Sequence, residues 1–249
     1  MNATLETILN HRSIRKFKKE QLTYDQITNI VEAACRASTS SYMMAYCIIG
    51  VTDEVKKQKL AEISHQDYVQ NNGHLFVFCA DLNRLTIKAS KSDYDKMLEN
   101  LQNTEHFLVA SIDAALAAQN AALAAESMGL GICYIGSLRN NIQEVDSLLN
   151  LPYHVIPLFG MAVGVPDQQR EIRPRLPHKA IYFENEYEHD NQIINNYLNE
   201  FNDLVNDYYQ KRSSNQRNDT WTEQMVRKFN KPTRMDVSSF VQEKKFNRK

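Results

Sequence analysis

The pattern of apolar and polar positions predicts a short helix near the start of the chain, followed by further helices and buried strands. In residues 5–9 and 24–37, leucine, isoleucine or valine recurs at the i, i+3, i+4 spacing of a helix face. Residues 55–69 also favour a helix. Compact runs of β-branched and aromatic residues, bounded by polar segments, predict buried strands at residues 47–52, 75–80, 131–135 and 155–163.

The strongest helical signal lies in the alanine-rich residues 107–128, which end at Gly129. Alanine has the highest helix propensity, and glycine commonly ends a helix. Small side chains let another backbone approach closely, so this helix packs either inside one subunit or against a second subunit. A further helix is predicted for residues 142–151. The polar residues 84–106 instead suggest a mobile surface excursion rather than a core element, and we assign no secondary structure to them.

Helices between most of the strands indicate one sheet covered by helices, of the α/β or α+β class. The 249 residues, 43% of them hydrophobic, suffice for one substantial domain or two small ones. The longest apolar region, residues 110–131, contains Asp113, Asn120 and Glu126, which a bilayer would penalise, so we expect no membrane span. Residues 1–13 lack the apolar run of a signal peptide.

The sequence lacks the common metal, disulfide and nucleotide motifs. Its four cysteines are scattered, with no C-x-x-C pair and no histidine at ligand spacing, so we expect reduced thiols, a cytoplasmic location and no metal. Neither G-x-G-x-x-G nor G-x-x-x-x-G-K-[ST] occurs, so a Rossmann or P-loop site is not supported. The hydrolase motifs G-x-S-x-G and H-E-x-x-H do not occur either.

Charge is distributed unevenly along the chain. Residues 211–249 hold eleven Lys or Arg against four Asp or Glu, a net charge of +7, which leaves −8 for residues 1–210 because the whole chain carries −1. A basic tail of this kind is typical of a nucleic-acid arm or a solubilising segment. No recognition module surrounds its single Trp221, so we expect no nucleic-acid partner.

Three polar clusters are candidates for binding an anion, and a solvated surface segment is the alternative interpretation of each. Six basic or potentially basic residues lie in residues 11–19, where Arg12 and Arg15 can converge on one anion. Residues 38–41 are a run of hydroxyls, which suits a loop, a cap or a phosphate site. Arg173 precedes a proline, and in extended backbone Arg173 and Arg175 point the same way, as a phosphate clamp would require.

Taken in this order, the motifs resemble the nitroreductase superfamily. The matching segments are His11-Arg12-Ser13-Ile14-Arg15, residues 130–141 (LGICYIGSLRNN), Arg173-Pro174-Arg175-Leu176-Pro177, and in the tail Asp219-Thr220-Trp221 and Arg234. Within the superfamily the chain resembles the branch of flavin reductase P and the major oxygen-insensitive nitroreductase, which are FMN enzymes that prefer NADPH. The resemblance runs from about residue 5 to residue 246.

The resemblance implies an α+β fold with a mixed central sheet sandwiched by helices, and a homodimer with FMN at the subunit interface. It implies an FMN-binding core at residues 1–180 and a C-terminal extension at residues 181–249 that wraps the partner subunit. The implied reaction is ping-pong: NADPH gives a hydride to FMN N5, and a flavin, quinone or nitro compound is then reduced, without a catalytic side chain. The alternatives are another chemistry of the superfamily, such as dehalogenation or flavin fragmentation, and a non-catalytic flavin-binding or regulatory protein.

The resemblance also implies binding residues. Those for FMN are His11, Arg12, Ser13, Arg15, Ser40, Ser41, Gln66, Tyr134, Ile135, Gly136, Ser137, Arg173 and Arg175. Those for the 2′-phosphate of NADPH are Arg212 and Arg234, with Arg217 and Arg139 as weaker candidates. A phosphate shared with the Arg173–Arg175 pair predicts that Arg15 is buried. The chain departs from the family at Ser137, where a glycine is usual, at Met44, where many relatives have glutamine, and at Arg173, where lysine is frequent.

Overall fold

A computed structural model describes residues 2–212 and 215–249 as helices connected around one sheet. The helices are α1 (Ala3–Leu9), α2 (Tyr24–Cys35), α3 (Glu54–Ser64), α4 (Lys91–Leu101), α5 (Thr104–Ser127), α6 (Ile142–Leu149), α7 (Asn191–Lys211), α8 (Trp221–Phe229) and α9 (Val237–Glu243). The strands are β1 (Tyr46–Val51), β2 (His74–Asp81), β3 (Gly131–Ile135) and β4 (Val155–Gly164). All four strands lie where the sequence pattern predicts them.

The four strands form one sheet in the order β1-β2-β4-β3, and β2 is buried along its whole length. Its alternate side chains enter two different cores, with Phe76 and Phe78 on one face and Leu75 and Val77 on the other. Because both faces are covered, the sequence of the strand is a nearly continuous run of apolar residues. The α+β class is confirmed, but each of the three pairings is antiparallel, so the described strands do not form the mixed sheet that we expected.

Helix α5 covers one face of the sheet together with α2. Its buried alanines, among them Ala114, Ala118 and Ala121, pack beside Ile30 of α2 in the same core as Phe78. Small side chains allow this close approach, as the sequence predicts. By length and composition α5 could also cross a membrane, but this alanine face is buried against protein. A second set of helices, α3 and α6, covers the opposite face of the sheet.

Residues 84–106 contribute to a core, against the expectation of a surface excursion rather than a core element. This segment contains α4, whose N-cap Ser90 accepts a hydrogen bond from the backbone N–H of Asp93 at 3.1 Å. Tyr94, Met97 and Leu101 recur at helical spacing and pack in a third apolar core with Phe246. The apolar stripe is narrow and lies among charged residues, which explains why composition alone suggested an exposed loop.

The helix predicted for residues 55–69 ends earlier than expected. Helix α3 stops at Ser64 because His65 adopts a left-handed conformation, with φ of 54°, and caps the helix. Asp67–Val69 then form a separate 3-10 turn. The break turns Gln66 and Tyr68 away from the helix axis and toward β3, where both take part in the site described below.

Contacts between residues divide the chain into two compact units, each described by itself. Unit 1 comprises Met1–Arg170 and Arg234–Lys249 and contains the sheet, and unit 2 comprises Glu171–Thr233. In unit 2, α7 and α8 pack through Phe201, Val205 and Tyr209, with the Trp221 ring 5.9 Å from that of Phe201. A capping box between Thr220 and Glu223 starts α8.

Candidate functional site

In unit 1, the segment after α1 runs beside the edge of the sheet. The backbone N–H of Ile14 donates to the Ile132 carbonyl at 2.8 Å, and Phe17 forms a bridge with Pro166. Both Ile14 and Phe17 are buried, at 4% and 8% exposure. These two anchors fix the basic residues between them against β3, where residues 134–137 follow.

The basic residues of this segment have different environments. His11 Nδ1 lies 2.7 Å from Glu126 Oε1, so the loop is tied to the last turn of α5. Arg12 lies beside Glu126 and Arg170 on the wall of a cleft of about 620 Å³. Ser13 is half-buried, but Arg15 is exposed, against the expectation of burial. The reason is local: Ile14 points into the core, and its neighbour in an extended segment points outward.

Arg15 nevertheless takes part in a cluster around the Tyr68 hydroxyl. That hydroxyl donates to Gln66 Oε1 and accepts from the Cys133 thiol at 3.7 Å. Burial raises the pKa of Tyr68 to about 12, with Cys133 acting in the same direction and Arg15 against it. Two predicted residues, Arg15 and Gln66, thus meet at Tyr68, which sequence reasoning missed although it lies two residues from Gln66 in a polar stretch.

The predicted hydroxyl residues lie in the turn before β1. Ser40 begins a short 3-10 turn, and Ser41, Tyr42 and Met44 have φ of 49°, 59° and 47°. Left-handed backbone at three of four positions is strained unless the surroundings hold it. The carboxylate of Asp113 on α5 does so, accepting the N–H groups at both ends of the turn. Sequence reasoning missed this role, although a lone aspartate in an alanine-rich helix was the signal.

Residues 134–137 lie at the end of β3. The Tyr134 hydroxyl donates to the Ala118 carbonyl at 2.7 Å, and burial raises its pKa, so it stays neutral. Ile135 is buried, and a Cβ on Gly136 would lie 3.3 Å from Nη2 of Arg139. Ser137 Oγ is buried without a hydrogen-bond partner in the described part of the chain. An unsatisfied hydroxyl here is costly in the protein alone and is available to a ligand.

Two of the four predicted NADPH residues meet in unit 1. Arg139 donates through Nη1 to the Leu158 carbonyl, and Arg234 Nε donates to Asn140 Oδ1 at 3.0 Å. Burial and, after it, the positive charge of Arg234 lower the pKa of Arg139. Two guanidinium groups close enough to affect each other form a site suited to a polyanion.

Unit 2 contains the other predicted cations. The expected clamp is not formed, because Arg175 Nη1 donates back to the Arg173 carbonyl at 2.8 Å, whereas Arg173 Nη2 donates to the Tyr209 hydroxyl at 2.7 Å. Backbone preference alone predicts parallel side chains for Arg173 and Arg175. The hydrogen bond from Arg173 to Tyr209, a residue distant in sequence, overrides that preference. Arg212 and Arg217 also lie over the Tyr209 ring, with Cζ 5.7 Å and 3.9 Å from its centroid.

The four cysteines are free thiols. Within residues 2–212 and 215–249, no group of three or more His, Cys, Asp or Glu side chains is placed to hold a metal ion.

Comparison with known families is consistent with this geometry. The model of the nitroreductase family matches residues 8–165, and that of the nitroreductase family C-terminal domain matches residues 173–249. The chain belongs to the nitroreductase family. The resemblance inferred from the sequence motifs is thereby confirmed.

Individual nitroreductases match over the full length. The FMN reductase (NADPH) of Bacillus subtilis (strain 168) is 47% identical over 249 residues, which is all of both chains. The structure of the NfrA1 nitroreductase from B. subtilis is 46% identical with a TM-score of 0.94, covering 99% of this chain and 100% of that one. The NADPH:FMN oxidoreductase from Vibrio harveyi complexed with NAD+ is 36% identical with a TM-score of 0.87, covering all of both chains.

Proposed function

We propose that this nitroreductase is an NADPH-dependent, FMN-containing oxidoreductase that reduces flavins, nitro compounds or quinones in a ping-pong reaction. The observation that carries the proposal is the full-length likeness, at 47% identity, to a relative named FMN reductase (NADPH). The likeness extends over all of this chain and all of the relative.

The residues present suit FMN. The buried hydroxyl of Ser137 lacks a partner in the described chain, Gly136 leaves little room for a side chain beside Arg139, and Arg12 and Arg15 supply positive charge. The residues that would hold FMN are His11, Arg12, Ser13, Arg15, Ser40, Ser41, Gln66, Tyr134, Ile135, Gly136, Ser137, Arg173 and Arg175. The chemistry that FMN would supply here is acceptance of a hydride from the nicotinamide and delivery of two electrons and a proton to an acceptor.

The side chains themselves bind and orient rather than react. Tyr134 is neutral and its hydroxyl is committed to Ala118, so it fixes the end of β3 instead of moving a proton. Ile135 is buried and excludes water from the sheet side. Arg15 places positive charge near the Tyr68 hydroxyl, and fixed positive charge favours an anionic form of whatever binds there.

The reductant would be recognised by arginines. Arg139 and Arg234 of unit 1, and Arg212 and Arg217 of unit 2, are the residues we assign to the 2′-phosphate of NADPH. A phosphate monoester pairs well with guanidinium groups because two parallel N–H donors meet two oxygens. The assignment accounts for part of the positive charge of residues 211–249 without a nucleic-acid partner.

The enzyme is proposed to act as a homodimer in the cytoplasm, with residues 1–180 as the FMN-binding core and residues 181–249 as an extension that wraps the partner. Support comes from the outer face of α5, where Leu108, Ile112 and Leu116 are 49%, 53% and 45% exposed at successive turns. Helix α1 adds exposed leucines and an isoleucine in the same unit. A contiguous exposed apolar face of this kind commonly marks a protein–protein interface.

The cofactor proposal is tested on the purified protein. It should be yellow, and NADPH added without oxygen should bleach it, with reoxidation by free FMN, a quinone or a nitro compound. A colourless protein that takes up no FMN would contradict the flavin assignment. A yellow protein that NADPH does not bleach would instead favour a non-catalytic flavin-binding protein.

The dimer is tested by light scattering coupled to gel filtration. Leu116→Glu places a charge on the outer face of α5 and should give a monomer that retains less FMN, because an uncompensated charge in an apolar interface is strongly unfavourable. Val55→Glu, at a 69% exposed position of α3, is the matched control and should remain dimeric. A dimeric Leu116→Glu protein would remove α5 from the interface.

A further inference from the structure

In unit 2, Tyr209 of α7 is surrounded by three arginines. The tyrosine is 3% exposed, yet Arg217 stacks on its ring at 3.9 Å, Arg212 lies at 5.7 Å, and Arg173 contacts its hydroxyl at 2.7 Å. The hydroxyl in turn donates to Gln224 Oε1 at 3.2 Å. The ring and the hydroxyl of a single side chain therefore contact all three guanidinium groups.

In the described residues of unit 2, the positive charge of this cluster exceeds the negative charge that pairs with it. Asp219 lies 2.9 Å from Arg217 Nε, but the same carboxylate is 2.7 Å from Nη2 of Arg227, an arginine outside the cluster, so its negative charge is shared between the two. Like charges repel when they are held close together, and a site with excess positive charge has its strongest affinity for a dianion. A phosphate monoester is the common biological group with that charge and with oxygens suited to guanidinium donors.

We infer that Tyr209 is a positioning residue for the 2′-phosphate of NADPH: its ring spaces Arg212 and Arg217, and its hydroxyl turns Arg173 toward them. The inference rests on the proposed function and extends it. Arg173, which the family resemblance assigns to the FMN phosphate, thereby also contributes to the choice between NADPH and NADH. Tyr209 itself need not touch the phosphate, because it acts through the arginines.

The alternative is that Tyr209 is only a core residue that joins α7 to α8. Phe201 allows the two to be separated. It lies on the same helix, is 4% exposed, packs in the same apolar core against Trp221, and is not among the rings that arginines cover in the described chain. Loss of packing is shared by both positions, whereas contact with Arg173 and Arg217 belongs to Tyr209; Arg212 lies over Tyr209 and also over the neighbouring Tyr208, with Cζ 5.4 Å from the Tyr208 centroid.

The test measures calorimetric binding of 2′,5′-ADP and of 5′-AMP to the full-length protein with its flavin content recorded. Tyr209→Leu should raise the Kd of 2′,5′-ADP about tenfold, through loss of the cation–π contacts and the hydroxyl, and should change the Kd of 5′-AMP less than about twofold. Tyr209→Phe keeps the ring and loses the contacts of the hydroxyl to Arg173 and Gln224, so about a threefold rise is expected. Phe201→Leu should change neither Kd.

Each contrary result has a distinct meaning. If wild-type protein binds 2′,5′-ADP no better than 5′-AMP, the proposed use of NADPH fails, and the role of Tyr209 fails with it. If wild type prefers 2′,5′-ADP but Tyr209→Leu shifts both ligands equally, or no more than Phe201→Leu does, only the positioning role is overturned. Should Tyr209→Leu not fold, Tyr209→Phe decides: an unchanged Kd for 2′,5′-ADP overturns the role of the hydroxyl in directing Arg173.

Discussion

The carboxylate of Asp113 accepts a hydrogen bond from the backbone N–H of Ser40 at 3.0 Å, across 73 positions of sequence. Its second oxygen accepts the N–H of Ala45 at 3.1 Å, and the side chain is fully buried. Both oxygens therefore depend on protein donors. Helix α5 thereby holds the turn that carries the predicted FMN residues Ser40 and Ser41, including its left-handed backbone.

Replacement of Asp113 by asparagine should destabilise the protein. An amide offers one oxygen and turns its NH₂ toward the other N–H group, so one buried donor is left unpaired, and we expect a loss of about 2–4 kcal/mol in the free energy of unfolding. Urea denaturation measures this change, and FMN titration should show a higher Kd because the turn is no longer held. Asp95→Asn, at an exposed position of α4, is the control and should change stability by less than about 0.5 kcal/mol. Equal effects at the two positions would contradict the role of Asp113.

The Ser137 hydroxyl should affect the FMN-free and FMN-bound proteins in opposite directions. Its Oγ is buried and unpaired in the described chain, so Ser137→Ala should leave the FMN-free protein as stable or up to about 1 kcal/mol more stable. If the hydroxyl bonds the cofactor, the same change should raise the Kd of FMN about three- to tenfold. Thermal unfolding and flavin fluorescence titration measure the two effects.

Ser111 provides a matched control for Ser137. Its hydroxyl is also buried without a partner in the described residues, but it lies on α5 and outside the proposed FMN set. Ser111→Ala should therefore have a similar effect on stability and none on FMN affinity. A weaker FMN affinity in both variants, or in neither, would argue against a contact between Ser137 and the cofactor.

The proximity of Arg139 and Arg234 predicts a defect specific to NADPH. Arg234→Ala and, in unit 2, Arg212→Ala should each raise KM for NADPH about ten- to a hundredfold more than KM for NADH, since a hydrogen bond between charged groups contributes about 1.5–3 kcal/mol. Lys231→Ala removes an exposed positive charge nearby in sequence and is the control for general electrostatic attraction. Steady-state kinetics with both reductants measure the ratio, and equal increases for NADPH and NADH would remove the proposed role.

The strands were predictable because a strand that is buried on both faces has a compact run of apolar residues in its sequence, with turn residues on either side of the run. The helix α4 was not predicted, because Tyr94, Met97 and Leu101 form only a narrow stripe in a charged segment. Helix α8 was missed for a similar reason: the positive charge of residues 211–249 suggested ligand binding and obscured the apolar residues that join α8 to α7.

The site was predictable where it is carried by consecutive residues and not where it depends on single side chains from distant elements. His11 and Arg12 belong to a recognisable motif, but their neighbour Glu126 is one acidic residue at the end of α5. The parallel arrangement of Arg173 and Arg175 follows from local backbone preference, and Tyr209, 36 residues from Arg173, overrides it. Contacts of this range are set by the packing of helices, which local sequence does not encode.

His74, at the start of β2, should make the stability of the protein depend on pH. It is 6% exposed, its Nε2 is buried without a partner in the described residues, and a Cβ on Gly50 would lie 2.8 Å from that atom. Burial and, after it, the positive charge of Lys57 lower the pKa of His74 from 6.5 to about 4. The folded protein therefore holds this imidazole neutral under conditions where the unfolded chain protonates it.

The sign of the effect follows from which state binds the proton. The stability that the neutral His74 contributes is fully present above pH 6.5 and is lost as the pH falls toward about 4. Below that pH the contribution changes no further. When the pH is lowered from about 7.5 to about 5, protonation of this histidine in the unfolded chain should lower the free energy of unfolding by about 2 kcal/mol. Urea denaturation at both values should therefore show a smaller loss for His74→Gln than for wild type, whereas His178→Gln, at an exposed position, should behave as wild type. The same loss in all three proteins would show that other groups govern the acid response and that His74 accepts a proton without cost.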